Sequence, residues 1–381
     1  MYRFLEIFNE IKTNFPNKDQ IGLHDPYLIG NEKKYLLDAI DSNYVSSVGA
    51  YVNRFEESIQ NEINIKSAIA TCNGTAALQV ALQLAGVKKG DEVITQALSF
   101  IATSNVILFN SAIPVFLDVD IETMGLSPLS VSKFLDKYGE LRDDGCYNKK
   151  TGNRISACLP MHTFGFPVKL KELIAICDQW QIPIVEDCAE SFGSLYDGKH
   201  TGTFGMLGAL SFNGNKIITT GGGGAIITNN LELGQHAKHL TTTAKKPHEY
   251  EFFHDELGFN FRMPNLNAAL GCAQLEKLNI YINNKRDLAF KYEECFKAIG
   301  IEFMKEPKNT VANYWLMAIK LNNKKERNLF LKESVKLKVQ CRPIWQLLFR
   351  SKIYSSFYRD QQENAKFLEE RIVNIPSGVR L

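Results

Sequence analysis

Between residues 67 and 228, short apolar runs alternate with stretches whose apolar residues recur every three or four positions. The runs 67–72, 92–96, 114–119, 155–161, 182–188, 209–212 and 225–228 have the length and bounding turns of buried strands. Between them, 75–85, 100–110 and 170–181 carry the spacing of helices packed on a sheet. This alternation predicts an α/β unit with a mostly parallel seven-stranded sheet between helices. After about residue 230 the text becomes charged and helical, with a long helix expected over 265–279 and one strand over 315–321. A division into 1–250 and a smaller α+β unit over 251–381 follows. In the first twenty residues Phe4, Leu5, Phe8 and Ile11 are expected on one helical stripe, which reads as a docking helix.

Composition leaves that picture intact and removes several functions. A chain of 381 residues suits two domains of roughly 100 to 200 residues. Its 44 basic and 42 acidic residues nearly cancel, with no long run of one sign, so neither a nucleic-acid surface nor a membrane surface is expected. No apolar stretch reaches the roughly 18 residues of a membrane span, and the first residues mix both signs of charge too early for a signal peptide. A cytoplasmic location is the expectation. The eight cysteines lack any CxxC pair and sit mostly in apolar text, as buried reduced thiols do, and no metal is expected.

Three segments carry chemistry. Ser211-Phe212-Asn213-Gly214-Asn215-Lys216 places a lysine just after a buried strand and before the glycines at 221–224. A desolvated amine there is a nucleophile that can form a Schiff base. The glycines suit backbone approach to a flat ligand, and equally a flexible turn. In Val185-Glu186-Asp187 a strand ends in a carboxylate at the sheet edge where α/β folds bind ligands. Asp187 can keep a pyridine nitrogen protonated, or merely cap a following helix. Cys72-Asn73-Gly74-Thr75-Ala76 ends a strand and opens a helix, a ready phosphate seat over 74–76 or a plain capped start. Ser211 can add a hydroxyl, and Phe100 a ring to stack on. Phosphate seat, ring cover, carboxylate and lysine each follow a different strand of one sheet, which is the requirement of pyridoxal 5'-phosphate.

These segments resemble the sugar aminotransferases of the DegT/DnrJ/EryC1/StrS family, which are fold-type-I pyridoxal-phosphate enzymes. The likeness covers nearly the whole chain through Phe55-Glu56, NGTAAL from Asn73, DEVI at 91, PVFLDVD at 114, EDCAES at 186, SFNGNK at 211 and GFNFRMPNLNAALG at 258. The resemblance implies that Lys216 is the Schiff-base lysine and proton shuttle, and Asp187 the partner of the ring nitrogen. Gly74, Thr75, Ala76 and Ser211 would hold phosphate, and Phe100 would stack. It also implies a homodimer in which Asn260 reaches the phosphate of the partner's site. Relatives are expected to run somewhat beyond the point matching Pro376-Ser377-Gly378. One position departs from the family: Glu190 stands where Gln or His is usual, and a carboxylate beside a phenolate is repulsive unless protonated. Glu190 is therefore expected to be neutral or to face substrate.

Phrases such as PMHTFGFPV, GKHTGTFG, NYWL and RPIW resemble the aminotransferases of legionaminic acid and bacillosamine synthesis. That likeness implies amination of C4 of a UDP-linked 2-acetamido-4-keto-2,4,6-trideoxyhexose from glutamate, in surface polysaccharide synthesis. His162, Lys245, Lys246, His248 and Arg342 are candidate cations for the diphosphate, although solvation alone also explains surface charge. Other readings stay open: a dTDP- or GDP-linked keto-sugar, a dehydratase (disfavoured by the lysine at 216), a free amino acid as substrate, and a non-catalytic regulator on the same fold.

Overall fold

The computed structural model describes residues 2–16 and 18–380. Its centre is a sheet of β1 (Ser67–Thr71), β2 (Glu92–Gln96), β3 (Ile113–Leu117), β4 (Ile155–Leu159), β5 (Val185–Asp187), β6 (Leu207–Ser211) and β7 (Gly224–Thr228). The spatial order is β1-β7-β6-β5-β4-β2-β3, with β4 and β5 joined by parallel bridges at Cys158–Ile184 and Met161–Asp187. Only β7 runs against its neighbours, so the sheet is the mostly parallel seven-stranded one that the pattern predicts. Strands β2, β4, β6 and β7 are buried along their whole length, which is why they read as apolar runs without alternation.

The predicted helices shift by a residue or two at their ends. Gly74–Leu84 and Ile101–Phe109 replace 75–85 and 100–110, which makes Phe100 the extended N-cap and not a helical residue. Leu170–Gln179 stops before Gln181, whose φ of 54° ends a helix. The single helix expected over 265–279 is two, Asn265–Leu275 and Leu278–Ala298. No glycine or proline marks that break.

The smaller unit is an antiparallel sheet of Glu302–Phe303, Met317–Lys320, Ile372–Ile375 and Arg342–Pro343, in that order. The strand expected at 315–321 is therefore shorter, and Trp315 lies just before it. The first helix, Tyr2–Asn14, docks here, with Phe8 stacked on Phe330 at 4.7 Å. Phe4, Ile7, Phe8 and Ile11 are its buried residues; Leu5, one position round the helix from Phe4, is 49% exposed and leaves the expected stripe. Met263, Ala268, Cys272 and Leu275 share a core with Phe55, Ile59 and Phe212 of the large unit. We propose that the large unit therefore continues to about Ile282 rather than ending at residue 250.

Candidate active site

The carboxyl ends of the parallel strands open on one cavity of about 800 Å³, and β7 begins at the same edge. Gly74, Thr75, Phe100 and Asp187 line it. So do Glu190, Ser211, Lys216 and Arg342. Those from the large unit converge because each lies at or after the end of an element that finishes at that edge, and Arg342 reaches the same cavity from the small sheet.

Asp187 closes β5 and is 2% exposed. Its Oδ2 accepts the Thr103 hydroxyl at 2.8 Å and its Oδ1 the Ala189 amide at 3.1 Å. The Ser99 hydroxyl in turn donates to Thr103 at 2.7 Å. Burial raises the carboxyl above its ordinary pKa, and the Thr103 and Ala189 donors pull against that. No helix follows Asp187, so helix capping does not account for it. Thr103 was not legible as a functional residue, because the run Thr103-Ser104-Asn105 offers three polar side chains in a row and nothing in the sequence singles out the first.

Lys216 lies in the loop after β6 with its side chain 11% exposed. Burial pushes its amine below the ordinary lysine value, while Glu190 and Asp187 favour the charged form. Nζ lies 3.7 Å from Glu190 Oε1 and 4.0 Å from the centre of the Trp315 ring. Glu190 is itself buried and accepts the Phe164 amide at 2.8 Å. Burial pushes its carboxyl up to about 7, against the opposing pull of Lys216. A group with that affinity is readily neutral near physiological pH.

The phosphate seat needs glycine for a local reason. A Cβ on Gly74 would lie 2.8 Å from the Ser211 Cβ, so strand end and helix start can meet only without one. Gly224 is under the same constraint: its Cβ would fall 2.6 Å from the Gly74 amide nitrogen. That glycine is there for backbone against backbone, not for a ligand. At the helix start, Asn73 accepts the Ala76 amide at 2.8 Å. Ala76 is thereby corrected: its N–H is already used, whereas Gly74 and Thr75 face the cavity.

Four of the five candidate cations are also corrected. His162 is fully buried, with Nε2 3.0 Å from Glu186 Oε2 and Nδ1 accepting the Val168 amide at 3.2 Å, so it is a core residue. Glu186 also accepts the amides of Gly202, Phe204 and Gly205 at 2.7 to 2.9 Å, which fixes that turn. Lys245 and Lys246 pair with Phe253–His254 in an exposed hairpin outside the cavity; Lys245 covers the Phe252 ring and Lys246 pairs with Asp255 at 3.1 Å. His248 sits in the same hairpin between Tyr250 and Phe253. Arg342 alone of the five lines the cavity, and among the described residues it has no ion-pair partner. Asn260 is exposed and bridges to Thr242 beside the hairpin, outside its own chain's cavity. All eight cysteines are free thiols.

A buried carboxylate, a desolvated lysine, a half-exposed aromatic ring and a helix start with a hydroxyl, all on one cavity, fit pyridoxal 5'-phosphate. Fold and site together define a pyridoxal-phosphate-dependent aminotransferase. Residues 26–381 match the DegT/DnrJ/EryC1/StrS aminotransferase family, and the chain belongs to that family. It is 34% identical over 364 residues to EpsN of Bacillus subtilis, covering 94% of this chain and 91% of that one. It is 33% identical over 357 residues to the GDP-perosamine synthase of Escherichia coli O157:H7, covering 94% and 93%. In structure it is similar to an aminotransferase from Psychrobacter cryohalolentis, with a TM-score of 0.82 and 26% identity over 93% of each chain. Among the described residues no helix is long and apolar enough to cross a membrane.

Proposed function

We propose that this aminotransferase carries an amino group from glutamate to C4 of a nucleotide-linked 4-keto-6-deoxy sugar, with UDP-2-acetamido-4-keto-2,4,6-trideoxyhexose as acceptor. The observation that carries the catalytic part is the convergence of Asp187 and Lys216 on one cavity whose floor is the Gly74–Ser211 junction. When bound, the cofactor supplies an electron sink that acidifies the C–H of the amino donor. Thr103 and the Ala189 amide hold the Asp187 carboxylate, which would pair with the ring nitrogen of the cofactor. Gly74, Thr75 and Ser211 would hold the phosphate at a helix start, and Phe100 would cover the ring. Lys216 takes a proton from the donor's α-carbon and later delivers one to the sugar carbon that receives nitrogen. Donor and acceptor use the same site in turn, so ping-pong kinetics are expected.

Arg342 supplies a cation for the diphosphate or for the donor's carboxylate. The enzyme acts as a cytoplasmic homodimer in which Asn260 reaches the partner's cavity. Support for this comes from the exposure of Tyr250 (79%), Phe252 (74%) and Leu257 (83%) in the segment leading to it. A second reading, a GDP-linked acceptor, is favoured by the likeness to the GDP-perosamine synthase. Turnover of glutamate with UDP- and GDP-linked 4-keto sugars, compared at equal concentration, tests both. A preference of tenfold or more for the UDP sugar is expected, and activity with a free keto acid alone, without either sugar, would overturn the reading.

A further inference from the structure

The surroundings of Lys216 contain a device that the reaction scheme does not use. Its amine lies between two walls, the Glu190 carboxylate at 3.7 Å and the Trp315 ring face at 4.0 Å. Each wall is held by something else. The Trp315 indole N–H donates to the Asn215 carbonyl at 2.6 Å, fixing the ring to the residue that precedes the lysine. Glu190 is fixed by the Phe164 amide. One side chain ties the walls together: Asn313 accepts the Trp315 amide at 2.7 Å and donates to the Glu190 and Phe192 carbonyls at 2.9 Å each. Asn313 is fully buried, and Gly165 makes room for it, since a Cβ there would fall 2.0 Å from its Oδ1. Behind Trp315, the fully buried Lys285 donates to the Trp315 carbonyl at 3.2 Å.

We propose that Trp315 and Glu190 form a seat for the Lys216 side chain in its detached form, and that Asn313 is the positioning residue that keeps the two walls in register. The proposal rests on Lys216 being the catalytic amine. In the seat one proton is exchanged and no heavy-atom bond changes: the amine takes a proton from carbon, becomes ammonium, and gives the proton back. An ammonium gains from a carboxylate on one side and an indole face on the other, where a neutral amine gains little. The seat therefore holds the proton long enough for it to be returned to a defined face of the acceptor. Other charged groups bear on the same amine. Asp187 favours the charged form. His24, buried nearby, senses both Lys216 and Lys285 and is lowered chiefly by burial. Neither His24 nor Lys285 supplies a negative charge, so Asp187 adds to the field from across the cavity while Glu190 and Trp315 are the groups within 4.0 Å of the amine that retain the proton locally.

Competitive labelling tests this on the full-chain enzyme converted with amino donor alone, so that Lys216 is free. Trace acetylation of Lys216 is followed across pH by peptide mass spectrometry, with exposed Lys89 as reference. In Trp315→Leu the labelling rate near neutral pH is expected to rise roughly tenfold, with the titration displaced to lower pH, because a cation–π contact of this kind is lost. Trp315→Phe keeps a ring and is expected to stay within about threefold of wild type. Glu190→Gln, which keeps the shape, is expected to shift the titration in the same direction as Trp315→Leu, and it decides the matter if the leucine variant does not fold. A wild-type labelling curve in either folded variant overturns the seat. Attachment of the cofactor to a different lysine would instead remove the assignment of Lys216 itself.

Discussion

Replacing Glu190 with Gln has a calculable effect on stability as well as on chemistry. The carboxyl is 2% exposed, and its pKa is raised from an ordinary 4.5 to about 7 chiefly by burial. A raised carboxyl means that the native protein keeps a proton which the unfolded chain has released. Its contribution is therefore most favourable below 4.5 and is lost as pH rises through about 7. Linkage gives a penalty of about 0.8 kcal/mol at pH 5 and about 3 kcal/mol at pH 8. Glutamine removes the titration while preserving size and the acceptor for the Phe164 amide. Urea unfolding of cofactor-free wild type and E190Q at the two pH values should then show the wild type losing about 2.5 kcal/mol more than the variant between pH 5 and pH 8. Equal losses in the two proteins would refute the claim that Glu190 is held at an elevated pKa by its burial.

Thr103→Val should raise the cofactor's dissociation constant roughly tenfold or more, since a hydrogen bond to a buried charge is worth about 1.5 to 3 kcal/mol; a visible-absorbance titration measures it. Gly74→Ala should weaken cofactor binding at least as much, because the new methyl would press on Ser211, and equilibrium dialysis would report it. If Asn260 serves the partner's site, mixing inactive Lys216→Ala and Asn260→Ala chains should restore about a quarter of wild-type activity through mixed dimers that retain one intact site. No recovery would place Asn260 in its own chain's site, and an Asn260→Ala chain active by itself would place it in neither.

The sheet was legible because most of its strands are buried on both faces and so read as unbroken apolar runs between turn signals. The convergence of Gly74, Phe100, Asp187, Ser211 and Lys216 on one cavity was legible too, since each lies at or just after the end of a strand that finishes at one edge. Helix ends were less so: the break at 275–278 has no glycine or proline to announce it. His162 was misread as a free cation because its partner, Glu186, comes from a different strand. Alternation along β5 does separate the neighbours, one turned to His162 and the other, Asp187, to the cavity. Asn313 and Trp315 were read only as part of the NYWL phrase, with no role at the site, for a different reason. They come from the loop before the small unit's strand, and only tertiary packing brings them against Glu190 and Lys216.

The central claim is that one particular lysine engages the cofactor. Reduction of the cofactor-loaded enzyme with borohydride, followed by digestion and peptide mass mapping, measures this directly. The account predicts that the reduced cofactor is found on the peptide containing Lys216 and nowhere else, and that Lys216→Ala carries none. Label on any other lysine, or a Lys216→Ala protein that traps cofactor and turns over like wild type, would contradict it.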